Sequence, residues 1–195
     1  KSNNNEIINI LRGKSLTVRV TFNNQERIED LAGRISMQIA PDSLSLLNAF
    51  IDPSFLDLKG FNNANALSMY IPNSYDFFWN TTAENFRDKM WDYYQRFWTE
   101  ARQEKAKNLG LTQLKVIYLA AIVQKETQKV DERPRVAGVY LNRIKRKMKL
   151  QADPTVIYAM KSEFKNFDTI IKRVLYKDLK IDSPYNTYKN RGLPP

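Results

Sequence analysis

Neither cysteine nor histidine occurs among the 195 residues. Disulfides, thiolate zinc sites, Cys nucleophiles and His-based triads are therefore excluded within this chain. The lack of thiols is compatible with an oxidising compartment but does not fix one. Glycine is sparse, at 6 residues, and the sequence has no Gly-rich phosphate loop, EF-hand pattern or zinc spacing. The clustered acids of DERP, Asp131 and Glu132, lack the spacing of a metal loop, so neither metal nor cofactor is expected. No apolar run approaches the roughly 20 residues of a membrane span, and no signal peptide is visible. Acids are outnumbered: 31 Lys and Arg against 21 Asp and Glu give a net charge of +10. That balance suits an anionic partner, whether nucleic acid, an acidic lipid surface or an acidic polymer.

What is present supports a folded chain. A hydrophobic content of 43% with 12% aromatic supplies a core for one large domain or two small ones. Any catalysis falls to Asp, Glu, Lys, Arg, Tyr, Ser or Thr. After a ragged start at Asn3, Asn4 and Asn5, the stretch from Ser15 to Phe22 alternates Leu16, Val18, Val20 and Phe22 with polar residues, the pattern of a half-buried strand. Arg27 to Ile39 has helical spacing, Asp42 caps a short helix through Phe50, and Asn65 to Ile71 reads as a returning strand. Tyr70 to Trp79, aromatic-rich and broken by Pro72, reads as a loop or irregular hairpin. Thr81 and Glu84 form a capping box opening a long helix from Thr82 to Lys107, which Gly110 ends. Thr112 caps the next helix, with Leu114, Ile117, Tyr118, Ala121 and Ile122 on its buried face. Asp131 caps another, with Pro134 in its first turn and Val136, Tyr140, Ile144 and Met148 inward. Its basic run, Arg143 to Lys147, reads as a solvated face rather than a polymer-binding one. Asp153-Pro154 opens a short helix to Met160, 164–179 is helical, and Ser183 to Pro195 is a loop. The fold class is α+β, with strands confined to the first part and helices after it.

One carboxylate stands out. Glu126 falls where an apolar helix ends, with Ile122 and Leu119 one and two turns before it on the same face. Packed apolar neighbours and the negative end of a helix both disfavour ionisation, so a raised pKa is expected. A raised Glu is what a general acid needs near neutral pH. The plainer alternative is a solvated residue in a last turn.

Four blocks extend the pattern: IVQKET, ERPRVAGVYLNR, LQADPTVIYAM and SPYNTYKNRGLPP, in this order between Ile122 and Pro195. Together they closely resemble the endolytic murein transglycosylases, the MltG or YceG-like family. Ordered blocks of this kind are far more specific than one short motif. The resemblance covers about the last two-fifths of the chain; the first half is similar only loosely. It implies a LysM-like α/β N-terminal part with a linking hairpin over 1–80, matching the strand–helix–helix–strand order. A mainly helical catalytic part over 81–195 follows, truncated at its C-terminus. It also implies an upstream membrane anchor, with the catalytic part on the periplasmic or extracellular side.

The chemistry the resemblance implies is cleavage between N-acetylmuramic acid and N-acetylglucosamine without water, leaving a 1,6-anhydro-muramyl end. Most glycosidases use two carboxylates. Here the muramyl 6-hydroxyl is the nucleophile, so one carboxyl group can protonate the leaving oxygen and then take the hydroxyl proton. By resemblance that group is Glu126. Family members usually carry an acidic residue two positions earlier, where this chain has Gln124; were that position essential, the chain would be inactive. Gln151, Asp153, Tyr185, Asn186 and Tyr188 fall in the later blocks and line sugar subsites by the same resemblance. Asp153 has an alternative as a helix cap and Asn186 as a turn former. Arg133 and Asn142 are expected to hold helices in place by hydrogen bonds. The expected partners are peptidoglycan strands and cell-wall synthesis proteins. A non-catalytic peptidoglycan-binding or scaffold module is the first rival. A nucleic-acid-binding protein is the second; against it, the sequence has no recognisable nucleic-acid motif.

Overall fold

The alternation beginning at Leu16 becomes β1 (Thr17–Phe22), with Val20 and Phe22 buried between exposed residues. This is the first element of a computed structural model in which residues 16–195 are described; the expected ragged start and Ser15 lie outside the described residues. β1 pairs antiparallel with β2 (Asn73–Phe78), Val20 opposite Tyr75 and Val18 opposite Phe77. The returning strand is therefore inside the aromatic stretch expected to be a loop, and the stretch expected to be a strand is a 3-10 turn, Ala66–Met69. Two asparagines cause the exchange. Asn62 Oδ1 accepts from the Ala64 and Asn65 amides at 2.9 and 3.2 Å, and Asn65 Oδ1 accepts from the Asn62 amide at 2.8 Å. Such side-chain bonds to backbone favour turns over strands. Pro72 sits just before β2, where no ladder amide is required.

Three helices separate the strands: α1 (Ile28–Ser36), α2 (Ser43–Phe50) and α3 (Pro53–Lys59). Asp42 caps α2 as expected, accepting from the Ser45 amide at 2.7 Å. The sequence reading passed over α3, although Asp52 caps it, Pro53 opens it and Gly60 at φ 75° closes it. The strand–helix–helix–strand order thus carries an extra short helix. α4 (Ala83–Phe97) is capped by Thr82 rather than Thr81, through the Asn85 amide at 3.2 Å.

The long helix expected to Lys107 breaks at Trp98, where ψ is 67° and the indole is buried. A new helix, α5 (Glu100–Asn108), follows. By packing the chain divides into Lys1–Thr99 and Glu100–Pro195, later than the expected boundary at 80/81. The reason is the apolar stripe of α4. Phe86 and Met90 are fully buried, and Phe86 meets Phe77 of β2 at 4.5 Å and Phe50 of α2 at 5.8 Å. α4 therefore completes the core under the two-stranded sheet.

In the second unit Gly110, at φ 71°, reverses the chain after α5. The Leu111 amide returns to the Ala106 carbonyl at 3.0 Å, the geometry for which glycine is favoured at a helix end. α6 (Gln113–Glu126), capped by Thr112, packs on α7 (Arg133–Lys145) and α8 (Asp153–Glu163). Leu119, Ile122 and Val123 of α6 form the core with Tyr140 of α7 and with Leu150 and Ala152. The buried face is rotated from the one expected, leaving Ala121 exposed; Met148 is half exposed. Two caps differ. Glu132, not Asp131, precedes α7, and its carboxylate accepts from the Thr127 hydroxyl at 2.9 Å. Ala152, not Asp153, precedes α8, which makes Asp153 the first helical residue. The helix expected over 164–179 is absent apart from a 3-10 turn, Asp178–Lys180. Lys165 at φ 50° ends α8, and Ile170 and Tyr176 are 82% and 90% exposed, so no core face holds a helix there.

Candidate functional site

The end of α6 delivers Glu126 to the surface of the second unit. Its helix neighbours Leu119 and Ile122 are buried as their spacing requires, but Glu126 itself is exposed, so the apolar burial expected around it is missing. What it has instead is a specific neighbour. The Tyr140 phenol of α7 lies close enough to the Glu126 carboxylate to feel its charge. Burial pushes the Tyr140 phenol well above its ordinary value, and the neighbouring negative charge of Glu126 adds to this. Tyr140 therefore keeps its proton through neutral pH and is a ready hydrogen-bond donor beside the carboxylate.

A second tyrosine lies in reach of the same charge. Burial, then the hydrogen bond and charge of Asp153, then the charge of Glu126 push Tyr188 up to about 12. Its hydroxyl donates to Asp153 Oδ1 at 2.6 Å. Arg143, one turn beyond Tyr140, opposes both shifts and donates to the Leu150 carbonyl. The residues gathered around Glu126 are thus Tyr140, Arg143, Tyr188 and Asp153, drawn from α7, the start of α8 and a loop.

The loop is tied to the start of α8 by two buried threonines. Thr155 donates to the Ala152 carbonyl at 2.7 Å, which makes the Thr187 hydroxyl the donor in the 2.8 Å contact between the two. Thr187 Oγ1 also accepts the Ala152 amide at 3.0 Å, and the Thr187 carbonyl accepts the Gln151 amide at 3.1 Å. Gln151 sits between fully buried Leu150 and Ala152, yet is exposed. Its φ of 53° is unusual for a residue with a side chain and belongs to the strained conformations that cluster at functional sites. Asp153 is exposed and engaged by Tyr188; as the first residue of α8 it is not the cap that the sequence also allowed.

Asn186 differs from its expected role. Its side chain is fully buried, with Nδ2 donating to the Leu179 and Ile181 carbonyls at 3.0 and 2.8 Å. Its Oδ1 accepts the Tyr188 amide at 2.9 Å. It has no free face for a sugar and instead shapes the loop that presents Tyr185 and Tyr188. Tyr185 is half-buried and packs edge-on against Tyr158 at 4.7 Å. Arg133 does not show the hydrogen bonding expected of it: its Nε is buried without a partner.

Sequence reasoning missed Tyr140, Arg143, Thr155 and Thr187. Tyr140 left a signal: a tyrosine on an aliphatic stripe needs a partner for its hydroxyl. Arg143 was hidden in a basic run. Among the described residues no group of His, Cys, Asp and Glu could hold a metal ion, and no helix is long and apolar enough to cross a membrane.

These features define a helical unit with one carboxylate presented beside phenol donors, a second carboxylate and a guanidinium. The sequence profile of the YceG-like family matches residues 1–195. The chain belongs to that family. It is 44% identical over 98 residues to an endolytic murein transglycosylase of Bacillus subtilis (strain 168), covering 50% of this chain and 25% of that protein. It is 40% identical over 91 residues to one from Streptococcus pneumoniae serotype 2 (strain D39), covering 47% of this chain and 16% of that protein. The crystal structure of a YceG-like protein from Listeria monocytogenes superposes with a TM-score of 0.74 at 26% identity, covering 98% of this chain and 66% of that one. The chain therefore matches only about a quarter or less of the length of these two transglycosylases.

Proposed function

We propose that this chain belongs to an endolytic peptidoglycan transglycosylase, in which Glu126 protonates the glycosidic oxygen between N-acetylmuramic acid and N-acetylglucosamine. The 6-hydroxyl of the muramyl ring then attacks its own anomeric carbon, and Glu126 takes the hydroxyl proton, leaving the 1,6-anhydro ring. The observation that carries this reading is the exposed Glu126 carboxylate at a helix end, with the Tyr140 and Tyr188 phenols within reach of its charge. That setting leaves the carboxylate open to a polymer with protonated phenols beside it. Because Glu126 is exposed, the desolvation that favours proton donation must come from glycan laid over it. Asp153, Tyr188, Gln151 and Tyr185 flank it as sugar contacts. Exposed polar and aromatic groups of this kind suit a polyhydroxylated chain. The first unit reads as a LysM-type glycan-binding part. The enzyme would act outside the cytoplasm, held by an upstream membrane anchor, trimming nascent strands beside cell-wall synthesis proteins.

Glu126→Gln keeps the shape but has no carboxyl proton. Anhydro-product formation from polymeric glycan, read by mass spectrometry, is expected to fall at least about 10²-fold, since general acid–base assistance contributes about 10²–10⁴-fold. Asp131→Asn, at an exposed position outside the site, is expected to keep turnover. Normal anhydro ends from folded Glu126→Gln would refute the assignment. Products with ordinary reducing ends would make the enzyme a hydrolase instead.

A further inference from the structure

The net positive charge of this protein resides in one unit. Of the 31 Lys and Arg, 21 lie in Glu100–Pro195, with 10 of the 21 Asp and Glu, so that unit carries +11 and the rest of the chain −1. Within it, 164–177 combines charge with exposed apolar surface. Lys165, Lys172, Arg173 and Lys177 are all exposed, and Asp168 is the only acid in the segment. Ile170 is 82% exposed, Phe164 68% and Leu175 46%. A segment that leaves several large apolar side chains in water beside cations calls for a partner.

The spacing says what form the partner would stabilise. Phe167, Ile170, Ile171, Val174 and Leu175 recur at helical intervals, while Lys165, Lys172 and Arg173 fall on the opposite side of that wheel. In the folded chain the segment is irregular. Helices this short are marginal in water without a surface to pack on. A protein partner fits poorly, because the cores of protein interfaces are depleted of Lys and other charges. Lys- and Arg-rich faces opposite aliphatic and aromatic ones instead characterise helices that lie in the lipid–water interface.

We propose that 164–177 is a membrane-surface element that docks on anionic lipid and becomes helical there, laying the second unit against a bilayer. The cations meet the headgroups and the stripe around Ile170 and Leu175 enters the acyl boundary. This contact is separate from any membrane-spanning anchor and uses no residue of the Glu126 site.

The test is co-sedimentation of the 195-residue chain with vesicles of phosphatidylglycerol and phosphatidylcholine mixed, and of phosphatidylcholine alone, with far-UV circular dichroism of the bound form. Binding to the anionic vesicles with a gain of helix is expected, and much weaker binding to the neutral ones. Lys172→Gln with Arg173→Gln should weaken partitioning about 30-fold, from about fivefold per cation near an anionic surface. Ile170→Ser with Leu175→Ser should weaken it at least about 10-fold, and both pairs are exposed, so folding is retained. No binding to anionic vesicles would overturn the proposal. So would binding indifferent to Ile170 and Leu175, which is adsorption by charge alone, and binding without added helix.

Discussion

Thr187→Val is the sharpest probe of how the site is held together. The two side chains have nearly the same shape, so the change removes a hydroxyl and little else. That hydroxyl accepts the Ala152 amide at 3.0 Å and donates to Thr155 Oγ1 at 2.8 Å, with Thr155 and Thr187 both buried. Leaving the buried amide unpaired costs about 1–3 kcal/mol, and the lost bond to Thr155 about 0.5–1.5 kcal/mol. The added methyl returns up to about 0.8 kcal/mol. The net expectation is a loss of about 1–4 kcal/mol, centred on about 2. Thr187→Ser keeps both hydrogen bonds and loses a methyl, so about 1 kcal/mol is expected. Urea unfolding followed by circular dichroism at 222 nm reads the difference. Trp79, Trp91 and Trp98 all lie in the first unit, so tryptophan fluorescence reports that unit separately. Because the loop also presents Tyr188 to Asp153, the Val variant should lose glycan turnover more than the Ser variant does. A Val variant as stable as the Ser variant would refute the tether.

Tyr140→Phe removes the hydroxyl beside Glu126 while keeping the ring in the core, so on the proposed reading kcat on glycan should fall about tenfold with KM little changed; an unchanged kcat would remove Tyr140 from the machinery. Gln151→Gly relieves a left-handed backbone that costs a non-glycine residue about 1–2 kcal/mol, and a thermal melt should show equal or higher stability with weaker glycan binding. Alkaline stability follows from the phenols. Tyr75 and Tyr188, pushed up by burial to about 12, and Tyr140 keep their protons in the folded chain after unfolded tyrosine has released its own near 10. The folded state then binds more protons, so stability is retained below about pH 10 and falls as pH rises towards 12. A pH series of urea midpoints that stayed flat from 9 to 12 would contradict these environments.

The legible parts of the fold were those fixed by local chemistry. Asp42 and Thr112 cap their helices because each side chain needs only an amide three residues on. Val20 and Phe22 face the core because strand alternation sets their side. The failures have one cause: a local pattern overruled by a partner distant in sequence, or by the lack of one. α4 and α5 read as a single helix because nothing in propensity announces that Trp98 turns inward. The stretch 164–177 has helical periodicity, but a periodic stripe makes a helix only where enough packs against it, and here Phe167 meets Tyr158 while Ile170 and Leu175 stay exposed. β2 was obscured by Pro72, which sits before the strand rather than in it.

The site divides along the same line. The position of Glu126 at a helix end is legible because position in a helix is local. Its environment is not, since exposure depends on what folds over the helix end, and among the described residues Glu126 stays exposed. Asn186 shows the opposite error. A polar residue in the YNTY string reads equally well as a ligand contact and as a turn former, and only burial decides between them. With both Nδ2 protons on carbonyls and Oδ1 on an amide, it has spent its hydrogen-bonding capacity on the loop. Thr155 and Thr187 lie 32 residues apart, and neither hydroxyl has meaning without the other. On the proposed reading, the residues that position the site are the buried ones with long-range partners, and those offered to a substrate are the more exposed ones. A site for a polymer would require that division, because a polymer can be gripped only by groups the fold has left accessible, and those groups stay in register only if others are buried and bonded behind them.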